Sequence, residues 1–218
     1  MPANLTVMPD LPDDIHVRRL DLDDGSAPTW DSFLSDAELE RRSVMKNEQR
    51  RQGFTLGRVA LRSLLAERMD IAPSEVPIII EPTGRLACPE SGLMLSLAHS
   101  GKSAIAVAAN RNVGVDLEHV REKPRALLDY ILADSEKQHI DELPIDSSLS
   151  LFLCWTLKEA VLKANGTGLR RSPRKVALSI DIEKGIAHAN DPDGKDWVAR
   201  FSIEEEYVLS LAFDPSPL

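Results

Sequence analysis

Two carboxylates in the middle of the chain have a spacing that suits metal binding. Asp116 and Glu118 lie two residues apart in Gly114-Val115-Asp116-Leu117-Glu118, a segment that predicts a β-strand, so both side chains leave from one face. Like charges this close repel each other unless a cation lies between them, and Mg²⁺ prefers such hard oxygen ligands. Taken alone, the pair fits a solvated strand end better than a metal site.

A second charged group lies on a predicted helix, Leu151 to Ala164. Glu159 and Lys163 are one turn apart on the same helical face, and Lys158 lies on a neighbouring edge. A carboxylate and two ammonium groups near Trp155 could bind a metal ion and a phosphate together. The alternative is a surface Glu–Lys pair that stabilises the helix by about 0.3 to 0.5 kcal/mol.

The segment Ala98-His99-Ser100-Gly101-Lys102-Ser103 ends like a phosphate-binding loop. That loop requires a glycine five residues before Gly101, and Ser96 occupies this position, so the sequence does not predict a P-loop. His99 could instead contact a phosphate from the end of a strand, or have a structural role. The chain also lacks the Gly-x-Ser-x-Gly and His-Glu-x-x-His motifs, which argues against serine hydrolases and zincins.

The elements that must position these residues occur in a repeated order. A capping box at Ser35 to Glu38 predicts a helix start, and a long amphipathic helix follows over Arg50 to Leu65. Apolar or alternating segments predict strands at 76–80, 93–98, 103–109, 113–117, 176–182, 197–203 and 207–213. Because a helix followed by strands occurs twice, we predict an α+β fold of two pseudo-duplicated halves, 1–112 and 113–218, each a long helix packed on a small, mainly antiparallel sheet. We expect the active site at their interface.

The composition of the chain argues against several classes of protein. The 218 residues include 26 Lys and Arg against 35 Asp and Glu, a net charge of −9 that argues against a general nucleic-acid binder. The first 14 residues lack a basic start and an apolar run, and no segment has the ~18 uninterrupted apolar residues of a membrane span. Cys88 and Cys154 lie far apart in apolar segments, which favours reduced thiols. We therefore expect a cytoplasmic protein that binds neither nucleic acid nor membrane.

The order of the motifs along the chain resembles that of the Sfp-type 4′-phosphopantetheinyl transferase family. The resemblance runs from about Arg50 to Leu169 and rests on four motifs: Arg-Arg-x-x-Phe-Thr-x-x-Arg at 50–58, Ala-His-Ser-Gly at 98–101, Gly-Val-Asp-x-Glu at 114–118 and Trp-x-x-Lys-Glu-Ala-x-x-Lys-x-x-Gly-x-Gly-Leu at 155–169. It implies transfer of the 4′-phosphopantetheine group of coenzyme A to a serine of an apo acyl or peptidyl carrier protein, releasing 3′,5′-ADP. It also implies a monomer.

The resemblance assigns roles to individual residues. Asp116, Glu118 and Glu159 would hold Mg²⁺, and Glu159, directly or through a water on the metal, is the candidate base. The implied catalytic residues are thus Glu159, Lys163 and Asp116. The residues that would contact coenzyme A are Arg50, Arg58, Arg85, His99, Ser100, Lys158 and Lys163, with His99 near the 3′-phosphate.

The sequence departs from the family pattern at two places. Ala98 stands where the family usually has serine, and Gly84-Arg85-Leu86 replaces Gly-Lys-Pro, which keeps the positive charge but loses rigidity. Neither change touches the expected metal ligands.

Two alternatives to the enzyme stay open at this stage. One is a catalytically impaired module that binds coenzyme A or a carrier protein, and the other is an unrelated Mg²⁺-dependent phosphohydrolase. If the chain is a transferase, an acidic carrier protein requires a basic docking surface. Arg170, Arg171, Arg174 and Lys175 are candidates for it, although they fit a solvated basic loop as well.

Overall fold

The structure, a computed structural model, describes residues 8, 10–22, 30–121, 126–137 and 140–217. The chain divides into two compact units, Met1–Asn110 and Arg111–Leu218. Each unit contains a long helix and a five-stranded antiparallel sheet, which confirms the predicted α+β class. The prediction that the active site lies between the halves stays a prediction.

In the first unit, a long helix lies against the sheet. The strands are β1 (Ile15–Asp21), β2 (Ile79–Ile80), β3 (Leu86–Cys88), β4 (Leu93–Ser100) and β5 (Ser103–Ala109), and the helices are α1 (Asp36–Ser43) and α2 (Glu48–Met69). The sheet order is β1-β5-β4-β3-β2. Helix α2 buries Leu56, Leu61 and Leu65 in the core, and Asn47 caps its start by accepting a hydrogen bond from the amide of Arg50.

Two predictions for this unit have different outcomes. The capping box is confirmed, since Ser35 and Glu38 satisfy each other's backbone amides at the start of α1. The strand predicted over 76–80 is wrong in its first half, because only Ile79–Ile80 pairs with a neighbour. The carbonyls of Pro73, Ser74 and Val76 accept hydrogen bonds from the Arg62 guanidinium, which ties this stretch to α2 and not to a sheet.

The second unit repeats this arrangement. Its strands are β6 (Val113–His119), β7 (Ala177–Asp181), β8 (Ile186–Asn190), β9 (Asp196–Ile203) and β10 (Tyr207–Phe213), and its helices are α3 (Ala126–Ile131), α4 (Asp134–Lys137) and α5 (Ser147–Ala164). The sheet order is β6-β10-β9-β8-β7. Helix α5 packs on β6 and β10, and Gly166, at φ +76°, ends it in the left-handed conformation that the sequence predicts.

The two sheets share one topology, in which the first strand of the unit pairs with the last. Strand β1 pairs with β5, and β6 pairs with β10, in both cases antiparallel. The predicted order of a helix followed by strands therefore omitted the leading strand of the first unit. Arg18 and Arg19 are adjacent in β1 and interrupt the alternation that would have revealed it.

Both cysteines are free thiols and buried, as predicted. Burial raises the pKa of the Cys154 thiol to about 12, so the sulfur is protonated at neutral pH. Among the helices within the described ranges, none is long and apolar enough to cross a membrane.

Candidate active site

Strand β6 and helix α5 bring the predicted carboxylates and Lys163 together. Asp116 is 7% exposed and lies opposite Ser210 of β10 in the sheet. The ammonium group of Lys163, on α5, donates to Oδ1 of Asp116 over 2.7 Å and to the carbonyl of Val115 over 2.9 Å. Lys163 thus fixes one carboxylate oxygen of Asp116 from the helix, although the two residues are 47 positions apart.

Two carboxylate oxygens in this site are buried without compensation. Glu159 is 6% exposed, and its Oε1 and the Oδ2 of Asp116 have no hydrogen-bond partner among the residues that the structure describes. Burial, together with the charge of Asp116, raises the pKa of Glu159 to about 7. Burial also raises the pKa of Asp116, although the neighbouring Lys163 opposes this shift. The site therefore favours additional positive charge.

Glu118 lies on the same strand face and accepts a hydrogen bond from helix α5. The indole N–H of Trp155 donates to Oε1 of Glu118 over 3.0 Å. The Trp155 ring in turn packs against Tyr130 of α3, with the ring centroids 6.1 Å apart. Glu118 adds to the electrostatic repulsion that raises the pKa of Asp116 and of Glu159.

The donor set suits a hard cation. All three side chains offer carboxylate oxygens, the ligands that Mg²⁺ prefers, and the two orphaned oxygens lack any protein donor in the described part of the chain. Within the same residues, no group of three or more His, Cys, Asp or Glu side chains is arranged so that it could hold a metal ion. The structure thus places the three carboxylates as electrostatic neighbours, with Lys163 and Trp155 as their donors, and does not assemble them into a ligand shell.

Gly114 explains how α5 comes so close to β6. A Cβ atom at this position would lie 2.0 Å from the carbonyl oxygen of Ala160 and 2.4 Å from the amide nitrogen of Ala164, both in the helix backbone. A buried hydrogen bond of 2.7 Å between the hydroxyls of Thr156 and Ser210 ties the same helix to β10. The first residue of the Gly-Val-Asp-x-Glu motif therefore permits the close approach that positions Glu159.

The structure does not bring Lys158 to the carboxylates. Its ammonium group is fully buried, donates to Oε2 of Glu136 over 2.5 Å and to the carbonyl of Ile131 over 3.1 Å, and so faces α3 and α4. The predicted contact of Lys158 with coenzyme A has no support in this geometry.

The remaining predicted coenzyme A contacts lie in the first unit. The ring of His99 lies against Gly53 of α2, where a Cβ atom would come within 2.5 Å of Nδ1, and Ser100 is half-buried at the end of β4. Arg50 is exposed, whereas Arg58 is buried 3.4 Å from Glu38. These roles stay predictions.

Arg85 is also one of these predicted contacts, and it is half-buried. One of its guanidinium nitrogens, Nη2, is buried and has no hydrogen-bond partner within the described residues. Burial lowers the pKa of this guanidinium. An anion would supply the missing acceptor.

The basic segment after α5 is partly neutralised by the chain itself. Arg171 pairs with Asp193 over 3.1 Å, and Arg174 pairs with Asp134 over 3.0 Å. Arg170 donates to the backbone carbonyls of Gly166 and Thr167, which are neutral groups, and Lys175 is exposed.

Sequence reasoning missed two residues that shape the site. Glu136 lies in a segment that was not predicted as helical, and only the structure reveals it as the partner of Lys158. Asp191 is buried in the turn before β9, where it accepts hydrogen bonds from Asn165 and from the Trp197 indole, and so anchors the C-terminus of α5. No local signal separates either residue from an ordinary surface acid.

Comparisons with known proteins identify similar sequences and one similar structure. The family model of the 4′-phosphopantetheinyl transferase superfamily matches residues 112–212, which include β6 and α5. The chain is 33% identical over 180 residues to the 4′-phosphopantetheinyl transferase HetI of Nostoc sp., covering 78% of this chain and 75% of that protein. It is 32% identical over 177 residues to a putative 4′-phosphopantetheinyl transferase of Synechocystis sp., covering 78% and 72%. A crystal structure of holo-[acyl-carrier-protein] synthase from Neisseria meningitidis has a TM-score of 0.41 and 19% identity, covering 48% of this chain and 98% of that one.

Proposed function

The chain belongs to the 4′-phosphopantetheinyl transferase superfamily, and from this premise we propose that it transfers the 4′-phosphopantetheine group of coenzyme A to a serine of an apo carrier protein. In this reaction the serine oxygen forms a bond to the β-phosphorus of the pyrophosphate. The bond from that phosphorus to the bridging oxygen breaks, and 3′,5′-ADP leaves with the electron pair. The observation that carries the proposal is the pair of buried carboxylates Asp116 and Glu159 beside Lys163, each with one oxygen that has no donor among the described residues.

The residues of the second unit meet the demands of this chemistry. Transfer of a phosphoryl group requires fixed positive charge near the phosphate oxygens and a base for the attacking hydroxyl. Lys163 supplies a positive charge that its bonds to Asp116 and Val115 hold in place. Glu159 offers a buried oxygen with no donor among the described residues, and it is the candidate acceptor of the serine proton.

We propose that Mg²⁺ is the cofactor and that Asp116, Glu118 and Glu159 would hold it. The support is the chemistry of the donor set and the two orphaned oxygens, of Asp116 and Glu159. When bound, Mg²⁺ would neutralise charge that develops on the phosphate oxygens. The roles of the chain's own residues are to orient the pyrophosphate, through Lys163, and to accept the proton, through Glu159.

We propose that coenzyme A also meets basic side chains of the first unit. The half-buried Arg85 has an unpartnered guanidinium nitrogen that an anion would satisfy, and His99 is held against Gly53. Arg58 is buried and shares the Glu38 carboxylate with Arg62, so we expect a smaller contribution from it.

We propose that the carrier protein docks on the basic segment after α5. Because Arg171 and Arg174 already have acidic partners, Arg170 and Lys175 carry most of the available charge. Reversing the charge of Arg170 and Lys175 should raise the KM of the carrier by about tenfold or more and leave that of coenzyme A unchanged. The matched control reverses Arg171 and Arg174 and should have a smaller effect, and equal effects on both substrates would contradict the docking surface.

The function is tested by incubating the enzyme with coenzyme A, Mg²⁺ and a panel of apo acyl and peptidyl carrier proteins. We expect the mass of at least one carrier to rise by one phosphopantetheine, with 3′,5′-ADP as coproduct. Binding of coenzyme A without any mass change would favour a binding module that has lost catalysis. Release of 3′,5′-ADP without a carrier would favour a phosphohydrolase.

A further inference from the structure

Lys158 lies on α5, and its ammonium group is fully buried. The proposed chemistry does not use this group. Lys158 is next to Glu159 in sequence but points to a different part of the second unit. Its Nζ donates to the carbonyl of Ile131 at the end of α3 and to Oε2 of Glu136 in α4. A buried charge is retained at a cost in free energy, so its partners indicate what it does.

The partners of Lys158 belong to the segment that connects β6 to α5. Glu136 also accepts a hydrogen bond from the amide of Ala133 over 2.8 Å, through the same oxygen that meets Lys158. One ion pair therefore closes the turn between α3 and α4 and fastens it to α5. Ile131 and Leu132 pack with Leu151 and Cys154 beneath it, which gives the segment a small apolar base of its own.

This segment carries a residue that touches the carboxylate site. Tyr130 precedes Ile131, whose carbonyl Lys158 holds, and its ring packs against Trp155. Trp155 donates its indole N–H to Glu118, one of the three carboxylates. Trp155 and Lys158 are three residues apart on α5 and so face the same side of the helix.

We propose that Lys158 is a positioning residue for the carboxylate site: it fixes the α3–α4 segment against Trp155 and thereby fixes the Trp155–Glu118 hydrogen bond. The inference rests on the proposed function in that Glu118 is taken as a ligand of the metal. This role differs from a contact with the phosphates of coenzyme A, because Lys158 would touch only groups of the protein.

The test compares Lys158→Met, which keeps the length of the side chain and removes the ammonium group, with the unaltered enzyme. We expect amide hydrogen exchange in residues 126–137 to rise by at least tenfold and the Kd for Mn²⁺, followed by electron paramagnetic resonance, to rise about fivefold. We expect kcat to fall and the KM for coenzyme A to change less than twofold. A tenfold rise in that KM with unchanged exchange in the segment would overturn the inference in favour of a phosphate contact.

Three further variants keep the inference falsifiable if Lys158→Met does not fold. Glu136→Gln should shift exchange and Mn²⁺ binding in the same direction but less, whereas no change in either would overturn the inference. Trp155→Phe should weaken Mn²⁺ binding without changing exchange in the segment, because it removes only the last hydrogen bond. Lys137→Met is the matched control, since Lys137 lies in the same segment but pairs with exposed Asp129 and Asp134, and it should behave like the unaltered enzyme.

Binding of Mn²⁺ to the unaltered enzyme distinguishes a failure of this inference from a failure of the proposed function. If the unaltered enzyme binds no Mn²⁺, the proposed metal site is contradicted and the inference falls with it. If the unaltered enzyme binds Mn²⁺ and Lys158→Met binds it equally well, the inference alone fails and the proposed function stands.

Discussion

The two units share one topology but differ in how completely two of their buried charged groups are compensated. In the first unit, Arg62 on α2 is 2% exposed, and its guanidinium meets Glu38 at 2.5 Å and three backbone carbonyls. In the second unit, Asp116 is 7% and Glu159 is 6% exposed, yet each keeps an oxygen without a donor among the described residues. A compensated buried charge stabilises one arrangement of elements, whereas an uncompensated one favours binding of an ion or substrate. The same scaffold thus carries the structural ion pair of Arg62 and Glu38 in one unit and, in the other, a candidate active site beside the structural ion pair of Lys158 and Glu136.

Among the substitutions that test this comparison, we expect Gly114→Ala to have the largest effect on stability and activity together. The new Cβ would meet the backbone of α5 at 2.0 and 2.4 Å, so the helix that carries Glu159 and Lys163 must move. We expect transfer activity to fall by more than about 100-fold and the free energy of unfolding by several kcal/mol, as for an overpacked core. Carrier modification and chemical denaturation measure the two effects.

Gly57→Ala is the matched control for Gly114→Ala. Its Cβ would meet only the flexible side chain of Leu97 at 3.1 to 3.4 Å, and alanine is the better helix former by roughly 1 kcal/mol. A Gly114→Ala variant as active as Gly57→Ala would contradict the close approach.

The structural ion pair of the first unit should respond mainly through stability, although Glu38 also pairs with Arg58, a proposed contact of coenzyme A. Glu38→Ala leaves Arg62 buried without its carboxylate partner, and breaking such a pair typically costs about 3 to 5 kcal/mol. We expect that loss in chemical denaturation, with kcat of the remaining folded enzyme close to that of the original. A loss of less than about 1 kcal/mol would show that the pair contributes little to the fold.

Glu159→Gln should have the opposite effect on stability. Burial and Asp116 raise the pKa of Glu159 from 4.5 to about 7, so the folded state holds this proton more tightly than the unfolded state. The carboxylate therefore destabilises the fold increasingly as the pH rises from 4.5, and fully above 7. In EDTA at pH 8 we expect the variant to be more stable than the original by on the order of 2 kcal/mol, with a smaller gain at pH 5.

Thermal unfolding at the two pH values measures this difference. Asp181→Asn is a suitable control because Asp181 is an exposed acid paired with Lys184, far along the chain from the site. A Glu159→Gln variant no more stable than the original at pH 8 would mean that the carboxylate is already compensated.

The smallest effect is expected for Gly53→Ala in the first unit, and it concerns the KM for coenzyme A. Gly53→Ala would place a Cβ 2.5 Å from Nδ1 of His99 and push the ring away from α2. If His99 contacts the 3′-phosphate, the KM for coenzyme A should rise about tenfold, equivalent to about 1.4 kcal/mol. Dephospho-coenzyme A lacks that phosphate and should be unaffected, so an equal rise for both substrates would argue against this role of His99.

Local sequence patterns were sufficient for the fold class and for the motif that contains the site. The spacing of Asp116 and Glu118 on a strand and of Glu159 and Lys163 on a helix depends only on the periods of these elements, and the structure places them as expected. Strand β1 was missed because its arginines disturb the alternation. The ion pair of Lys158 was not predicted because its partner, Glu136, is 22 residues away and only tertiary packing brings the two together.

The most direct test of the central claim is a Mg²⁺ titration of carrier modification after treatment with EDTA, followed by mass spectrometry of the carrier. The account predicts no phosphopantetheine transfer without the metal, full recovery on addition of Mg²⁺, and no recovery in Glu159→Gln. Undiminished transfer in EDTA would contradict it.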